Sequence, residues 1–150
     1  MSTLKTGDAI PHFSTTNQNE IPVSQKDIIG NKTVIYFYPK DDTPTCTKQA
    51  CNLRDNYEQL INAGYKVFGV SPDKAKKHQK FIAKYDLPFD LLVDEDLALA
   101  NAFGVWGEKT TFGRTYMGIR RTTFVIDEKG VIAEIIDQVK AKEHTAQILG

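Results

Sequence analysis

The sequence predicts an α/β domain in which helices flank a central mixed β-sheet, with an N-terminal extension. Runs of β-branched and aromatic residues alternate with segments of helical periodicity, which is typical of a largely parallel sheet. Towards the C-terminal end, two apolar runs flank a short turn at residues 127–130 that ends in glycine, which favours an antiparallel hairpin. The length of 150 residues suits one domain, and we expect a single domain over 1–150.

The first part of the chain predicts an extension, a strand and a long helix. Residues 1–32 hold prolines and glycines among polar residues, so we expect a strand-poor segment that covers one edge of the domain. Residues 33–38 are β-branched and aromatic and predict a buried strand that stops at Pro39. A helix is predicted over 44–63, because apolar residues recur at helical spacing and Gly64 provides a stop.

The remaining segments complete the fold. Strands and helices are predicted to alternate over 65–71, 73–85, 89–93 and 94–103. Four glycines punctuate residues 104–118, which predicts a long loop. Strands over 122–126 and 131–136 and a closing helix over 141–149 follow. A βαβ half followed by a ββα half is the arrangement of a thioredoxin-like fold.

Composition and charge exclude several classes of partner. The 19 Lys+Arg residues balance 19 Asp+Glu, so the chain lacks the excess positive charge that would attract nucleic acids or anionic membranes. The longest apolar run, over 34–38, is far shorter than the roughly 20 residues of a membrane span. The first eight residues lack the apolar stretch of a signal peptide, which predicts the reducing cytoplasm and free thiols. The sequence favours a monomer, and a weak dimer stays open. Two functions are open for Trp106 and Phe112: lining the pocket mouth or forming a weak self-association patch.

Cys46 is the candidate reactive residue. Thr43 followed by Pro44 predicts a helix start, with Thr43 as the side-chain cap, and this makes Cys46 the third helical residue. The helix dipole and the first-turn amides favour the thiolate, which is the nucleophile. Cys46 points along the core-facing stripe of the helix, whereas Cys51 lies about 140° away around the axis.

Other interpretations of the cysteines stay open at this point. A free cysteine is often a small buried apolar residue. Zinc binding is disfavoured, because four residues separate Cys46 from Cys51 and the three histidines (His12, His78 and His144) form no paired motif. A Cys–His nucleophilic pair is also open, but no recognisable pattern ties a histidine to Cys46.

Pro39, Thr43 and Cys46 stand at the spacing P-x-x-x-T-x-x-C, which resembles the signature of peroxiredoxins. The string YPKDDTPTCTKQACNLRDNYEQL, residues 38–60, is similar to the bacterioferritin comigratory protein, or peroxiredoxin Q, branch of that family. The resemblance continues nearly to the C-terminus in VSPD (70–73), LVDED (92–96), FGVWGEK (103–109) and GIRRTTFVID (118–127).

The resemblance implies a thiol-specific peroxidase that needs no metal, flavin or other cofactor. Cys46 would attack the peroxide and become a sulfenic acid, and Cys51 would resolve it as an intramolecular disulfide. Thioredoxin or a similar dithiol donor would then reduce the disulfide. Thr43 would hydrogen-bond the thiolate and the substrate, and Pro39 would shield the pocket. Arg121 would stabilise the thiolate and polarise the O–O bond, since arginine offers several donors on a permanent charge.

Two positions depart from the family pattern. Thr45 stands where the family commonly has glycine, which could narrow access to Cys46, and Arg120 places a second cation beside Arg121. The alignment with the family motif favours Arg121 over Arg120 as the arginine that stabilises the thiolate. Two other functions stay open: a dithiol reductase, which normally carries C-x-x-C, and a redox sensor that reports peroxide without turnover. The preferred peroxide and the physiological reductant are not determined by the sequence.

Overall fold

The chain alternates strands and helices much as predicted, in a computed structural model that describes residues 4–150; residues 1–3 of the predicted extension lie outside the described residues. The strands are β1 (Ser14–Asn17), β2 (Pro22–Ser24), β3 (Lys32–Phe37), β4 (Tyr65–Ser71), β5 (Asp90–Val93), β6 (Trp106–Thr111), β7 (Arg114–Ile119), β8 (Thr122–Ile126) and β9 (Ile132–Ile136). The helices are α1 (Gln25–Ile28), α2 (Pro44–Asp55), α3 (Tyr57–Asn62), α4 (Ala75–Tyr85), α5 (Ala98–Ala102) and α6 (His144–Leu149), with a 3₁₀ turn at Ala141–Glu143. Within residues 4–150, no helix combines the length and the apolar character needed to cross a membrane.

Seven strands form one mixed sheet in the order β2-β1-β5-β4-β3-β8-β9. Strand β3 lies inside the sheet and pairs parallel with β4 and antiparallel with β8. Side chains of β3 alternate between two cores, as a strand requires. Ile35 and Phe37 pack on the side of α1 and α5, whereas Val34, Tyr36 and Tyr38 pack on the side of α2, α3, α4 and α6. The central mixed sheet flanked by helices confirms the predicted fold class.

The N-terminal extension covers one edge of the sheet, but the prediction that it is strand-poor is wrong. Strand β1 pairs antiparallel with β5, and β2 pairs antiparallel with β1. The two strands have only four and three residues, so neither is long enough to show the alternation that identifies a strand in the sequence.

The predicted long loop over 104–118 is also wrong, because β6 and β7 form a separate antiparallel hairpin. Its turn residues Phe112 and Gly113 have φ of 52° and 75°. Two central residues with positive φ are typical of a type I′ hairpin turn. Asparagine or aspartate usually occupies the first of these positions, and phenylalanine there concealed the hairpin.

The helix predicted over 44–63 is interrupted at Asn56, which separates α2 from α3. Asn56 has φ −114° and ψ 16°, outside the helical range. The Asn56 side-chain Nδ2 donates to the Asn52 carbonyl at 2.8 Å. The backbone amide of Asn56 donates to the same carbonyl at 3.2 Å, so the two groups compete for one acceptor. Asparagine side chains weaken helices through such local hydrogen bonds.

The helix predicted over 94–103 is shorter than expected, since Leu97 is left-handed with φ 62° and α5 begins only at Ala98. Asp94 stays outside the helix, and its carboxylate accepts the amides of Leu99 and Ala100 at 2.8 and 2.9 Å. Burial nevertheless raises the pKa of Asp94. Because the Asp94 carboxylate binds amides at the start of α5, Asp94 lies before the helix and the first residues of the predicted helix are not helical.

Candidate active site

The loop after β3 leads directly into α2, at the carboxyl end of the sheet strands where α/β proteins form ligand sites. Pro44 is the first helical residue, and the carbonyl of Thr43 accepts the Thr47 amide at 2.8 Å. The hydroxyl of Thr43 instead donates to the Lys40 carbonyl at 3.1 Å, so the predicted side-chain cap is wrong. The Thr43 oxygen keeps lone pairs that can accept a hydrogen bond.

Cys46 and Arg121 meet at the start of α2. The Cys46 side chain lies in the core, only 2% exposed, and Nη2 of Arg121 donates to its Sγ at 3.3 Å. The pairing of β3 with β8 brings Arg121 close to Cys46, because Phe37 lies opposite Thr122. The residue before β8 therefore lies beside the loop that follows β3. Arg121 thus supplies a permanent positive charge and a hydrogen-bond donor beside the sulfur.

Cys51 lies one and a half turns further along α2. It is half-buried, and Cys46 and Cys51 are both free thiols. Pro39 lies two residues after the end of β3 and is half-buried. Thr45 is exposed at the second helical position.

Gln49, which is not among the residues predicted from the sequence, holds Arg121 against the sulfur. Its Oε1 accepts Nη1 of Arg121 at 2.5 Å, and its Nε2 lies 3.3 Å from Nδ1 of His144. Nε2 of His144 lies 2.7 Å from Oγ1 of Thr123. Gln49 is fully buried and stands three residues after Cys46, on the same face of the helix. A polar residue within a core-facing stripe is the signal that could have identified it.

Arg120 points away from the cysteines. Its guanidinium packs on Gly107, where an added Cβ would lie 2.4 Å from Nη2. Glycine at position 107 therefore provides the space for this side chain. Successive residues of an extended segment project to opposite faces, which explains why the neighbouring arginines diverge.

A buried hydrogen-bond network supports the loop between β3 and α2. The Asp41 carboxylate accepts the Tyr38 hydroxyl at 2.5 Å and lies 2.6 Å from Nδ1 of His78. Nε2 of His78 donates to the Leu92 carbonyl at 2.9 Å, because a carbonyl can only accept. The side chains of Asp41 and His78 are both fully buried. Burial, with the neighbouring Tyr36 and Asp41, raises the pKa of Tyr38.

Asp73 extends this network and completes a group of possible metal ligands. Atoms of Asp41, Asp73 and His78 lie within 4.8 Å of one another. However, Asp73 accepts the Asp41 amide at 2.7 Å and the Ser71 hydroxyl at 2.6 Å, and both ring nitrogens of His78 are in use. Burial acts to raise the pKa of Asp73, but the hydrogen bonds from Ser71, Asp41 and Lys77 outweigh it and lower the pKa. Because the ligand atoms already have partners, we interpret the group as support for the loop.

Comparisons with known proteins identify the family of the chain. Residues 6–135 match the sequence profile of the AhpC/TSA family. The chain belongs to this family. Peroxiredoxin Bcp of Escherichia coli K12 is 46% identical over 149 residues, which cover 99% of this chain and 96% of the relative.

Two solved structures of relatives have the same fold over almost the full chain. A Xylella fastidiosa PrxQ mutant matches with a TM-score of 0.91 and 31% identity, covering 99% of this chain and 95% of that one. The Xanthomonas campestris bacterioferritin comigratory protein matches with a TM-score of 0.87 and 32% identity, at 99% and 95% coverage. The predicted peroxiredoxin family, its bacterioferritin comigratory branch and the thioredoxin-like fold are therefore confirmed, and the chain is a peroxidase.

The two adjacent arginines of this peroxiredoxin give a matched pair of variants. We expect Arg121→Met to slow the reaction of Cys46 with peroxide roughly 100-fold, because it removes a donor aimed at the reacting atoms. Arg120→Met is expected to change the rate little, since its guanidinium packs on Gly107. Single-turnover kinetics of Cys46 oxidation measure both, and a larger defect in Arg120→Met would contradict the assignment.

The buried Asp41–His78 pair should stabilise the peroxiredoxin strongly. His78→Leu leaves the Asp41 carboxylate buried without its partner, which we expect to lower the free energy of unfolding by about 3 kcal/mol. The double variant His78→Leu/Asp41→Asn should recover part of this loss, because no charge is then buried alone. Urea denaturation of the three proteins measures the effect, and wild-type stability in His78→Leu would show that the pair contributes nothing.

His144 should make the stability of the peroxiredoxin depend on pH. Burial, with a contribution from the Arg121 charge, lowers the pKa of His144 from 6.5 to about 3. Below pH 6.5 the His144 side chain binds a proton in the unfolded chain but not in the folded protein. The contribution of the neutral His144 ring to the free energy of unfolding is therefore complete above pH 6.5 and is lost as the pH falls towards 3. The slope reaches about 1.4 kcal/mol per pH unit.

Urea unfolding of wild type and His144→Asn, from neutral pH down to about pH 4, isolates this contribution. The stability advantage of wild type over the variant should shrink as the pH falls. A difference between the two proteins that does not vary with pH would contradict the buried neutral state.

Proposed function

We propose that this peroxiredoxin, as a single-domain cytoplasmic monomer, reduces hydrogen peroxide and organic hydroperoxides at Cys46. The observation that carries the proposal is the contact between the Arg121 guanidinium and the buried Cys46 sulfur, 3.3 Å apart, in the first turn of α2. A nucleophile beside a fixed cation and at the positive end of a helix dipole is suited to attack on an electrophilic oxygen.

In the first step the Cys46 thiolate attacks one peroxide oxygen. The S–O bond forms as the O–O bond breaks, so the sulfur is oxidised to a sulfenic acid and the other oxygen leaves as hydroxide or alkoxide. Arg121 donates to the oxygens on which negative charge develops. The Thr43 hydroxyl already donates to the Lys40 carbonyl, so its oxygen is free to accept a hydrogen bond from the O–H group of the hydroperoxide. We assign to Pro39 the shielding of the sulfur from water.

In the second step Cys51 resolves the sulfenic acid. Its thiol attacks the Cys46 sulfur, the S–O bond breaks, and water leaves as the intramolecular disulfide forms. A dithiol donor such as thioredoxin then supplies two electrons and two protons through a mixed disulfide. Because the dithiol supplies all the electrons, the cycle needs neither a metal nor a flavin.

The range of peroxides is part of the proposal. Alkyl peroxide reduction is attributed to the Xanthomonas campestris bacterioferritin comigratory protein, which shares this fold at 32% identity. We infer the same capacity here, in addition to the reduction of hydrogen peroxide.

Peroxide consumption by the purified protein, coupled to thioredoxin and its reductase, tests the function. We expect repeated turnover with hydrogen peroxide and with alkyl hydroperoxides, and much slower turnover when a monothiol replaces thioredoxin. Consumption of one equivalent without turnover would instead indicate a redox sensor. Sedimentation of the reduced protein checks the monomer.

A further inference from the structure

A line of hydrogen bonds connects the C-terminal helix to the active site. His144, the first residue of α6, is fully buried and meets the Tyr36 ring edge-on, with ring centroids 5.5 Å apart. Its two ring nitrogens lie beside Gln49 and Thr123, which are also fully buried. The line continues from Gln49 to Arg121 and ends at the Cys46 sulfur.

The donors and acceptors along this line allow one assignment. A guanidinium can only donate, so Gln49 must turn its oxygen to Arg121 and its NH₂ group to His144. Nδ1 of His144 must then accept, which leaves the ring proton on Nε2. This proton is donated to Oγ1 of Thr123 at 2.7 Å.

This pattern of hydrogen bonds can form only while the His144 imidazole is neutral. A proton on Nδ1 would face the NH₂ group of Gln49, and the amide would have to turn over to accept it. The NH₂ group would then face the guanidinium of Arg121, where two donors repel each other. Burial and the Arg121 charge, which lower the pKa of His144 to about 3, keep the ring in the accepting state.

A second set of contacts keeps His144 in place. Asn52, the residue after Cys51, accepts the Thr145 amide at 2.8 Å and donates to the Lys142 carbonyl at 2.7 Å. These bonds tie the backbone on either side of His144 to α2. The ring is therefore held on the same helix that carries both cysteines.

We propose that His144 is a positioning residue of the peroxidase site: its Nδ1 orients the Gln49 amide, which in turn holds Arg121 against the Cys46 sulfur. The inference rests on the proposed roles of Cys46 and Arg121. It adds a residue 98 positions from Cys46 along the sequence, which is connected to the sulfur through Gln49 and Arg121.

Two amide variants separate the two ring contacts. In His144→Asn the side-chain oxygen can take the place of Nδ1 and accept from Gln49, whereas in His144→Gln the amide reaches the place of Nε2 and keeps only the Thr123 contact. We expect His144→Asn to stay within about threefold of the wild-type rate of Cys46 oxidation and His144→Gln to fall about tenfold or more, because small misplacements of reacting groups are costly. Equal rates in the two variants, or the reverse order, would overturn the proposal.

A double-mutant cycle distinguishes positioning from general destabilisation. In an Arg121→Met background, His144→Gln should cause no further loss of rate, since the residue acts through Arg121. A second, independent loss would show that His144 supports the fold and not the arginine. If Arg121→Met alone leaves the rate of Cys46 oxidation unchanged, the role proposed for Arg121 is wrong. The cycle therefore distinguishes failure of the proposed function from failure of the positioning role of His144.

The tautomer of His144 provides a measurement that does not depend on activity or on the folding of a His144 variant. Nitrogen NMR of histidine-labelled wild type should show a protonated Nε2 and a bare Nδ1. In Gln49→Glu the carboxylate only accepts, so the proton should move to Nδ1. A protonated Nδ1 in wild type, or an unchanged tautomer in Gln49→Glu, would overturn the proposed line of hydrogen bonds.

Discussion

Cys46→Ser is expected to abolish peroxide turnover. A serine hydroxyl is not appreciably ionised near neutral pH, so it cannot replace the sulfur nucleophile that lies 3.3 Å from the Arg121 guanidinium. The substitution replaces one small side chain with another, so the protein should fold. Coupled peroxide consumption, with circular dichroism as the check on folding, measures the effect. Retention of more than a few per cent of wild-type activity in the folded variant would contradict the assignment of the nucleophile.

Cys51→Ser is the matched control on the same helix. It should consume about one equivalent of peroxide and then stop as a sulfenic acid, which excess oxidant converts to a sulfinic acid. Mass spectrometry follows both products. If Cys51→Ser cycled normally with thioredoxin, Cys51 would not be the resolving residue.

Oxidation is expected to unwind α2, which holds both cysteines as free thiols in one continuous helix, Pro44–Asp55. Five residues of α-helix advance about 7.5 Å and turn about 140°, which places the two Cα atoms roughly 8 to 9 Å apart. A disulfide needs them within about 7 Å, with converging side chains. The helix must therefore open before Cys46 and Cys51 can join.

Unwinding should also release the C-terminal helix. Gln49 and Asn52, the α2 residues that contact His144 and Thr145, lie on either side of Cys51. Oxidised protein should be less stable than reduced protein, since the cross-link closes a short loop that restricts the unfolded chain little while packing contacts are lost.

Hydrogen exchange in both redox states tests this prediction. Amides of residues 44–55 and the amide of Thr145 should exchange faster in the oxidised protein, while those of β4, the middle strand of the sheet, should be unchanged. Equal protection of α2 in protein shown by mass spectrometry to contain the intramolecular disulfide would refute the mechanism.

Much of the reactive centre could be predicted from local sequence. The β-branched run that forms β3, the proline at the start of α2 and the core-facing position of Cys46 are all properties of short segments, because strand and helix periods repeat within a few residues. The strands that sequence reasoning missed are short, as in β1 and β2, or joined by an atypical turn, as at Phe112.

The sequence by itself determined the fold class, the family signature and the candidate nucleophile, because burial patterns and residue spacing carry that information along the chain. The tertiary structure alone decided which polar groups meet. Gln49 contacts His144 across 95 positions, Asp41 contacts His78 across 37, and Arg121 reaches Cys46 while Arg120 turns away. Such contacts depend on how β3 pairs with β8 and how the C-terminal helix docks on α2. A hydrogen bond needs its two atoms within about 3 Å, and no local period specifies that distance.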